Sequence, residues 1–189
     1  MIYVKWIFWA TFWILIAGFL HYTLPQTDIA RITDTYEKRI DFAESSLFWA
    51  STGGGGTAQN TSRDVQFIQT KLTDGDPMVY RNEDTGWGWP PYFKFDTANL
   101  QANANDLRST ADDPNWVQVT HYGWRNEFFS IFPNAIGIRS VDGPDVRTIP
   151  WFNIVFLTLL AALFWAIRVR WIRFRERRID PTLDDWSAG

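Results

Sequence analysis

The sequence has no cysteine and only two histidines among its 189 residues. No Cys/His cluster with the spacing of a zinc site can therefore form, and the lack of cysteine is compatible with either redox compartment. No serine lies in a Gly-x-Ser-x-Gly motif, and the glycine run at 53–56 lacks the Lys-Ser/Thr of a phosphate-binding loop. We therefore predict no metal, no cofactor and no enzymatic activity.

One catalytic alternative remains open. His121 could act as a general base, with Glu127 or Asp113 as the acid that orients it. A histidine at the end of a predicted strand is more often an ordinary strand residue, so we rank this alternative last.

Charge is missing from two long apolar runs, at 6–20 (WIFWATFWILIAGFL) and at 150–167 (PWFNIVFLTLLAALFWAI). With their apolar flanks, both approach the ~20 residues that a helix needs to cross a bilayer. A cleaved signal peptide is the alternative for the first run, but bulky residues follow where a small-x-small cleavage site would have to lie. Six arginines follow the second run, which is a stop-transfer pattern. We predict two transmembrane helices.

The positive charges predict the orientation of these helices. Lys5 and the six arginines after the second run place both termini in the cytoplasm under the positive-inside rule. We predict a transmembrane signal anchor at 1–24 and a periplasmic β-rich domain at 25–149. A second transmembrane helix follows at 150–172, and a cytoplasmic arginine-rich tail at 173–189.

Residues 22–149 are acidic. We expect the chain to be a bacterial inner-membrane protein and place these residues in the periplasm. They hold eleven Lys/Arg and seventeen Asp/Glu, a net charge of −6. Nucleic acid is excluded as a partner because phosphate binding needs a basic surface. We expect the arginine-rich tail to contact membrane lipids instead.

The exported domain has mostly the period of strands. Strands are predicted at 28–41, 64–72, 78–82, 116–121 and 128–141, with Pro133 breaking or bulging the last. A single helix is predicted at 97–110, with Asp96 or Thr97 as its N-cap. The fold class is therefore α+β, with two transmembrane helices flanking a domain of order β-β-β-α-β-β, which is compatible with an OB-like small barrel.

The segment RNEDTGWGWPPYFKFD, residues 81–96, is the most aromatic loop of this domain. Phe93 and Phe95 alternate as the core residues of a short strand would. We therefore predict a rigid corner that presents Trp87, Trp89 and Tyr92 to a partner, together with Trp124 from the loop between the last two strands.

The predicted transmembrane helices carry two further patterns. Trp6, Trp9 and Trp13 form an aromatic stripe that suits a partner helix or a large planar cofactor, although lipid contact explains it equally well. Thr158, Ala162 and Ala166 recur every four residues, a small-xxx-small line suited to close helix packing.

With RNEDTGWGWPPYFKFD, VTHYGWRNEFFSIFPNA and IPWFNIVFLT in view, the chain resembles a family of small alphaproteobacterial inner-membrane proteins, domain of unknown function family 1523. The resemblance runs from LPQTDIARIT to RERRIDP. It implies a bacterial inner-membrane setting and implies no activity, ligand or catalytic residue.

Two functions are expected from these features. The first is that of a non-enzymatic accessory, structural or assembly subunit, which docks on other inner-membrane proteins through its periplasmic domain and its helices. The alternative is a periplasmic domain that binds or senses a small molecule or envelope ligand, in a pocket lined by Trp87, Trp89, Tyr92 and Trp124.

Overall fold

The computed structural model of the protein describes residues 2–41 and 62–179. In chain order its elements are α1 (Ile2–Thr23), β1 (Gln26–Asp41), β2 (Ser62–Leu72), β3 (Pro77–Asn82), α2 (Thr97–Asp106), β4 (Trp116–Tyr122), β5 (Asn134–Ser140) and α3 (Trp151–Phe174). A π-helical turn, Arg175–Ile179, follows α3. The chain divides into two compact units, Met1–Thr148 and Ile149–Gly189.

Two helices are long and apolar enough to cross a membrane, with candidate spans Tyr3–Thr23 and Trp151–Arg177. The predicted fold class, two long apolar helices flanking a β-rich domain, is confirmed. The orientation and the limits of the four predicted parts stay predictions. The glycine run at 53–56 and residues 180–189 of the predicted tail lie outside the described residues.

The five strands form a closed barrel in the order β1-β2-β3-β5-β4. Every pairing is antiparallel except β3 with β5, which is parallel and is joined where the Arg81 N–H donates to the Pro133 carbonyl at 2.9 Å. This order, with one helix between the third and fourth strands, is the OB-like arrangement.

Closure of the barrel depends on the 16-residue strand β1. Its first part, 26–31, pairs with β4, and its later part, 30–41, pairs with β2. The register shifts between Ile32 and Asp34, and a bulge of this kind bends a strand and increases its twist. One strand therefore belongs to both sides of the barrel.

Helix α2 packs against the barrel core. The Asp96 carboxylate accepts a hydrogen bond from the Asn99 N–H at 2.9 Å and so provides the predicted N-cap. Leu100 and Ala104 lie in the core cluster with Ile32, Ile68, Tyr80, Val117, Val119 and Ala135. The helix ends earlier than predicted, and beyond its end the Ser109 N–H bonds to the Ile32 carbonyl of β1.

The last strand is shorter than the predicted 128–141, because β5 begins only at Asn134. The preceding segment is a loop closed by two backbone hydrogen bonds between Asn126 and Ile131. The break at Pro133 is confirmed, since proline has no N–H to donate to a sheet.

Candidate functional site

A groove of about 950 Å³ lies between the C-terminal half of α1 and two loops of the barrel. We call it the α1–barrel groove. Its walls are mostly apolar, and its polar side chains come from the end of β3, the end of β4 and the loop after β4. The lining includes Ile14, Leu15, Phe19 and Tyr22 of α1, then Trp89, Pro90, Tyr122, Trp124, Phe129 and Ile131, with Arg81, Arg125 and Asn126.

Two tryptophans hold the barrel loops against α1. The Trp89 ring stacks on Phe19 with 5.7 Å between centroids. Trp124 packs edge-on against Tyr22 at 5.5 Å and donates its indole N–H to Nδ1 of His21 at 2.8 Å. Two of the predicted partner-binding tryptophans, Trp89 and Trp124, therefore line the groove, and they are 63% and 47% exposed.

Gly123 starts the loop that carries Trp124. Its φ is +93°, a left-handed conformation that residues with a Cβ rarely adopt. The Gly123 N–H donates to the Tyr22 carbonyl of α1 at 2.9 Å. A glycine at this position lets the chain turn from β4 towards α1 directly beside the groove.

Tyr92 is half-buried beside the α1–barrel groove and does not line it. Its ring stacks on Tyr122 at 5.1 Å, and its hydroxyl donates to the Thr23 carbonyl at the end of α1. Burial, together with Tyr122, raises the pKa of Tyr92. Tyr92 is therefore a fixed hydrogen-bond donor at the junction of α1 and the barrel.

Trp87, the fourth predicted aromatic, is not part of the groove. It is 84% exposed and packs against Phe93 and Phe95, with centroids 5.4 and 5.7 Å away. We call these three side chains the aromatic patch. The prediction that Phe93 and Phe95 are core residues is wrong, since more than half of each side chain is exposed.

The backbone of this segment explains the error. Phe93 has a φ of +52°, and Lys94 instead directs its side chain inward. The Lys94 carbonyl accepts hydrogen bonds from the N–H groups of Thr85 and Gly86, and its N–H donates to the Thr85 hydroxyl. Residues 93–95 alternate between two faces as predicted, but Phe93 and Phe95 lie on the exposed face and Lys94 lies on the inner face.

Lys94 belongs to a buried polar cluster at the end of β3. Its ammonium donates to the Asn82 side chain and, at 2.8 Å, to the Ala135 carbonyl of β5. Asn82 in turn donates to Gln101 of α2 at 2.8 Å. Burial, only partly offset by Asp84 and Glu83, lowers the pKa of Lys94 to about 8.

This pKa gives an expected pH dependence. Lys94 is neutral in the folded state above about pH 8 and keeps its ordinary pKa of 10.5 when unfolded. The unfolded state then binds more protons between these values, so stability rises with pH. We expect the free energy of unfolding to increase by about 1–2 kcal/mol from pH 8 to pH 10.

Urea unfolding of the full chain in mild detergent at several pH values measures this rise. The Lys94→Met variant should lack the rise whatever its stability at pH 8. An equal rise in both proteins would contradict the role of Lys94.

Two arginines bring positive charge to the groove. Arg81 is buried and lies 3.1 Å from the Glu83 carboxylate. Arg125 is half-buried, donates through Nη1 to the carbonyls of Asn126 and Ile131, and lies 4.5 Å from the centre of the Phe132 ring. No carboxylate among the described residues lies within 4 Å of the Arg125 guanidinium, so its charge is not neutralised there.

His121 is buried and pairs with an acid other than the two proposed from the sequence. Its Nε2 lies 2.9 Å from Oδ2 of Asp28, which also accepts the Tyr80 hydroxyl at 2.6 Å. Burial tends to raise the pKa of Asp28, but the hydrogen bonds from His121 and Tyr80 and the His121 charge give a net lowering. Glu127 and Asp113 are exposed. We call Asp28, Tyr80 and His121 the interior triad.

The predicted helix surfaces are exposed. Trp6, Trp9 and Trp13 are each about half exposed or more. On α3, Thr158, Ala162 and Ala166 are exposed, and the Thr158 hydroxyl donates to the Ile154 carbonyl at 2.7 Å. No group of three or more metal-ligating side chains occurs in the part of the chain that the structure describes.

His121 was a candidate from the sequence, but no sequence pattern linked it to Asp28 or Tyr80, and none marked the polar cluster around Lys94. The members of the triad and of this cluster lie up to 93 residues apart, and only the strand register brings them together. Arg125 and Phe129 lie within the segment VTHYGWRNEFFSIFPNA, but no sequence pattern marks them as groove residues.

The fold and the groove define a class: a small OB-like barrel that carries two candidate membrane-spanning helices. The chain belongs to the family described as "Protein of unknown function (DUF1523)", whose model matches residues 1–175. It is 39% identical over 150 residues to an uncharacterized protein of Haemophilus influenzae, covering 79% of this chain and 81% of that protein. No solved structure matches the chain.

Proposed function

We propose that the protein is a non-enzymatic accessory, structural or assembly subunit of a larger complex in a bacterial inner membrane. Both termini lie in the cytoplasm and residues 22–149 lie in the periplasm, as the positive charges at Lys5 and after α3 favour. The barrel and the two helices then dock on other membrane proteins.

The aromatic patch is the observation that carries this proposal. Trp87, Phe93 and Phe95 form one exposed apolar cluster, and large exposed aromatic clusters are typical of protein interfaces. The cluster is also held in place, because Thr85 and Gly86 bond to the Lys94 backbone and Gly88 bonds back to Thr85 at 3.0 Å. Such an ordered loop loses little entropy when it binds.

The helices offer further docking surface within the membrane. The exposed line of Thr158, Ala162 and Ala166 allows another helix to approach α3 closely. The exposed stripe of Trp6, Trp9 and Trp13 offers α1 a broad aromatic face. Surfaces that are not covered by a partner contact lipid.

A photo-crosslinking amino acid at position 87 tests the docking proposal in living cells. We expect an adduct of discrete mass with one membrane protein. The same probe at Asn103, which is exposed on α2, serves as the matched control and should give none. Gentle native extraction should yield an assembly larger than the monomer.

Trp87→Ala gives a quantitative version of the same test. Trp87 makes few contacts that stabilise the fold, so we expect unchanged unfolding and association with the partner weakened about 30-fold, the loss typical of an interface hot spot. Asn103→Ala should leave association unchanged. Extraction of only a free monomer, with no adduct at position 87, would remove this proposal.

Binding of an envelope ligand is the second candidate function. It is supported by the α1–barrel groove, whose volume of about 950 Å³ is near the upper end of the ~300–1,000 Å³ usual for ligand sites. Of the four aromatic residues in the pocket hypothesis, Trp89 and Trp124 line the groove, Tyr92 stacks on Tyr122, and Trp87 lies outside it.

A further inference from the structure

The position of the α1–barrel groove along α1 limits what can fill it. The 22 residues of α1 are about 33 Å long, enough for the ~30 Å hydrocarbon core of a bilayer. Ile14 and Leu15 precede Thr23, the last residue of the helix, by nine and eight positions, or about 12–14 Å. With α1 in the membrane, the deep end of the groove lies beside acyl chains and the other end lies near the headgroups.

The charge of the groove points to an anion at its polar side. Arg81 is already paired with Glu83, whereas Arg125 faces no carboxylate among the described residues. Nη1 of Arg125 bonds to two carbonyls, and its Nε and Nη2 donors have no acceptor among those same residues. A half-buried guanidinium whose Nε and Nη2 donors have no protein acceptor suits a phosphate, because a phosphate accepts two parallel hydrogen bonds from arginine.

We propose that the α1–barrel groove binds an anionic phospholipid, with an acyl chain along Ile14, Leu15 and Phe129 and the phosphate at Arg125. This inference rests on the second proposed function, ligand binding in the groove, and names its ligand class. Charge complementarity at Arg125 favours an anion, and the continuity of the groove with the lipid-facing part of α1 favours a lipid over a soluble metabolite.

Lipid photo-crosslinking on the full chain tests the site. The protein is placed in nanodiscs of phosphatidylcholine with a trace of diazirine-bearing phosphatidylglycerol or, separately, diazirine-bearing phosphatidylcholine. Cross-links to residues 14–19 and 123–131 are then quantified by mass spectrometry. We expect about tenfold more labelling by the anionic probe, because the choline ammonium of phosphatidylcholine offsets the charge that its phosphate presents to Arg125, whereas phosphatidylglycerol has no such cation. Excess unlabelled phosphatidylglycerol should compete.

Two arginine variants locate the selectivity. Arg125→Gln should reduce the preference to about one, and Arg125→Lys should retain part of it. Arg108→Gln is the matched control, because Arg108 is exposed and paired with Asp34 away from the groove, and it should keep the full preference. If a variant fails to fold, the ratio of anionic to zwitterionic labelling in the unmodified protein still tests whether the groove prefers an anionic lipid.

The other outcomes separate this inference from the broader function. Equal labelling of the groove by both probes would overturn anionic selectivity and leave ligand binding in place. Labelling of α1 outside the groove with none inside it, by either probe, would overturn the lipid site and count against groove ligand binding as a whole.

Discussion

Asn134→Ala should lower the free energy of unfolding by about 2–4 kcal/mol, because it leaves several buried polar groups without partners. The Asn134 side chain accepts from the Glu83 N–H at 2.9 Å and donates to the Glu83 carbonyl at 3.0 Å. It also donates to the Tyr122 hydroxyl at 3.1 Å. An amide side chain thereby extends the short parallel pairing of β3 with β5, where the barrel closes.

Urea unfolding of the full chain in mild detergent, followed by tryptophan fluorescence, measures this loss. Asn103→Ala is the matched control, since Asn103 is exposed on α2 and alanine favours helices. Its stability should change by no more than about 0.5 kcal/mol. Equal effects of the two variants would show that the Asn134 contacts do not close the barrel.

Asp28→Ala should cost a similar amount, about 2–4 kcal/mol, by removing the acceptor that the interior triad shares. Tyr80 on β3 and His121 on β4 both bond to this carboxylate on β1. Because β1 and β3 are not neighbours in the sheet, the Tyr80 hydrogen bond crosses the barrel interior. Losing the carboxylate leaves the Tyr80 and His121 side chains without this acceptor and removes a side-chain contact across the barrel.

Acid titration tests the charge of Asp28 separately from its packing. Its folded pKa lies below the ordinary 3.8, so its contribution is fully present above about pH 4 and is lost as the pH falls below that value. The Asp28→Asn variant should lack this part of the acid destabilisation.

Asp34→Ala provides the control for the interior triad. Asp34 pairs with Arg108 at 3.1 Å, and about half of each side chain is exposed. Exposed pairs of this kind contribute about 0–1 kcal/mol. If removing Asp34 were as costly as removing Asp28, the triad would have no special role in the barrel.

Local sequence signals predicted most of the elements of the fold. Strands β2 and β3 were predicted at 64–72 and 78–82, and α2 was predicted with Asp96 or Thr97 as its N-cap. The errors arose where tertiary contacts decide the backbone. Phe93 and Phe95 point outward because the Lys94 ammonium finds acceptors inside, and no local pattern contains that information.

The candidate site was only partly visible in the sequence for the same reason. Trp89 and Trp124 were recognised as unusual, but their role depends on Phe19, Tyr22 and His21 of α1, which lie far away in the chain. A helix that supplies one wall of a groove cannot be recognised from its own composition, because lipid contact would select the same apolar residues.

The junction of α1 with β1 has a mechanical consequence. Only Leu24 and Pro25 separate the two elements, and the last turn of α1 is bonded to Gly123 and Tyr92 of the barrel loops. The short connection and these hydrogen bonds therefore restrict bending between α1 and the barrel. If α1 spans the membrane, a tilt of the helix that matches bilayer thickness also changes the inclination of the barrel.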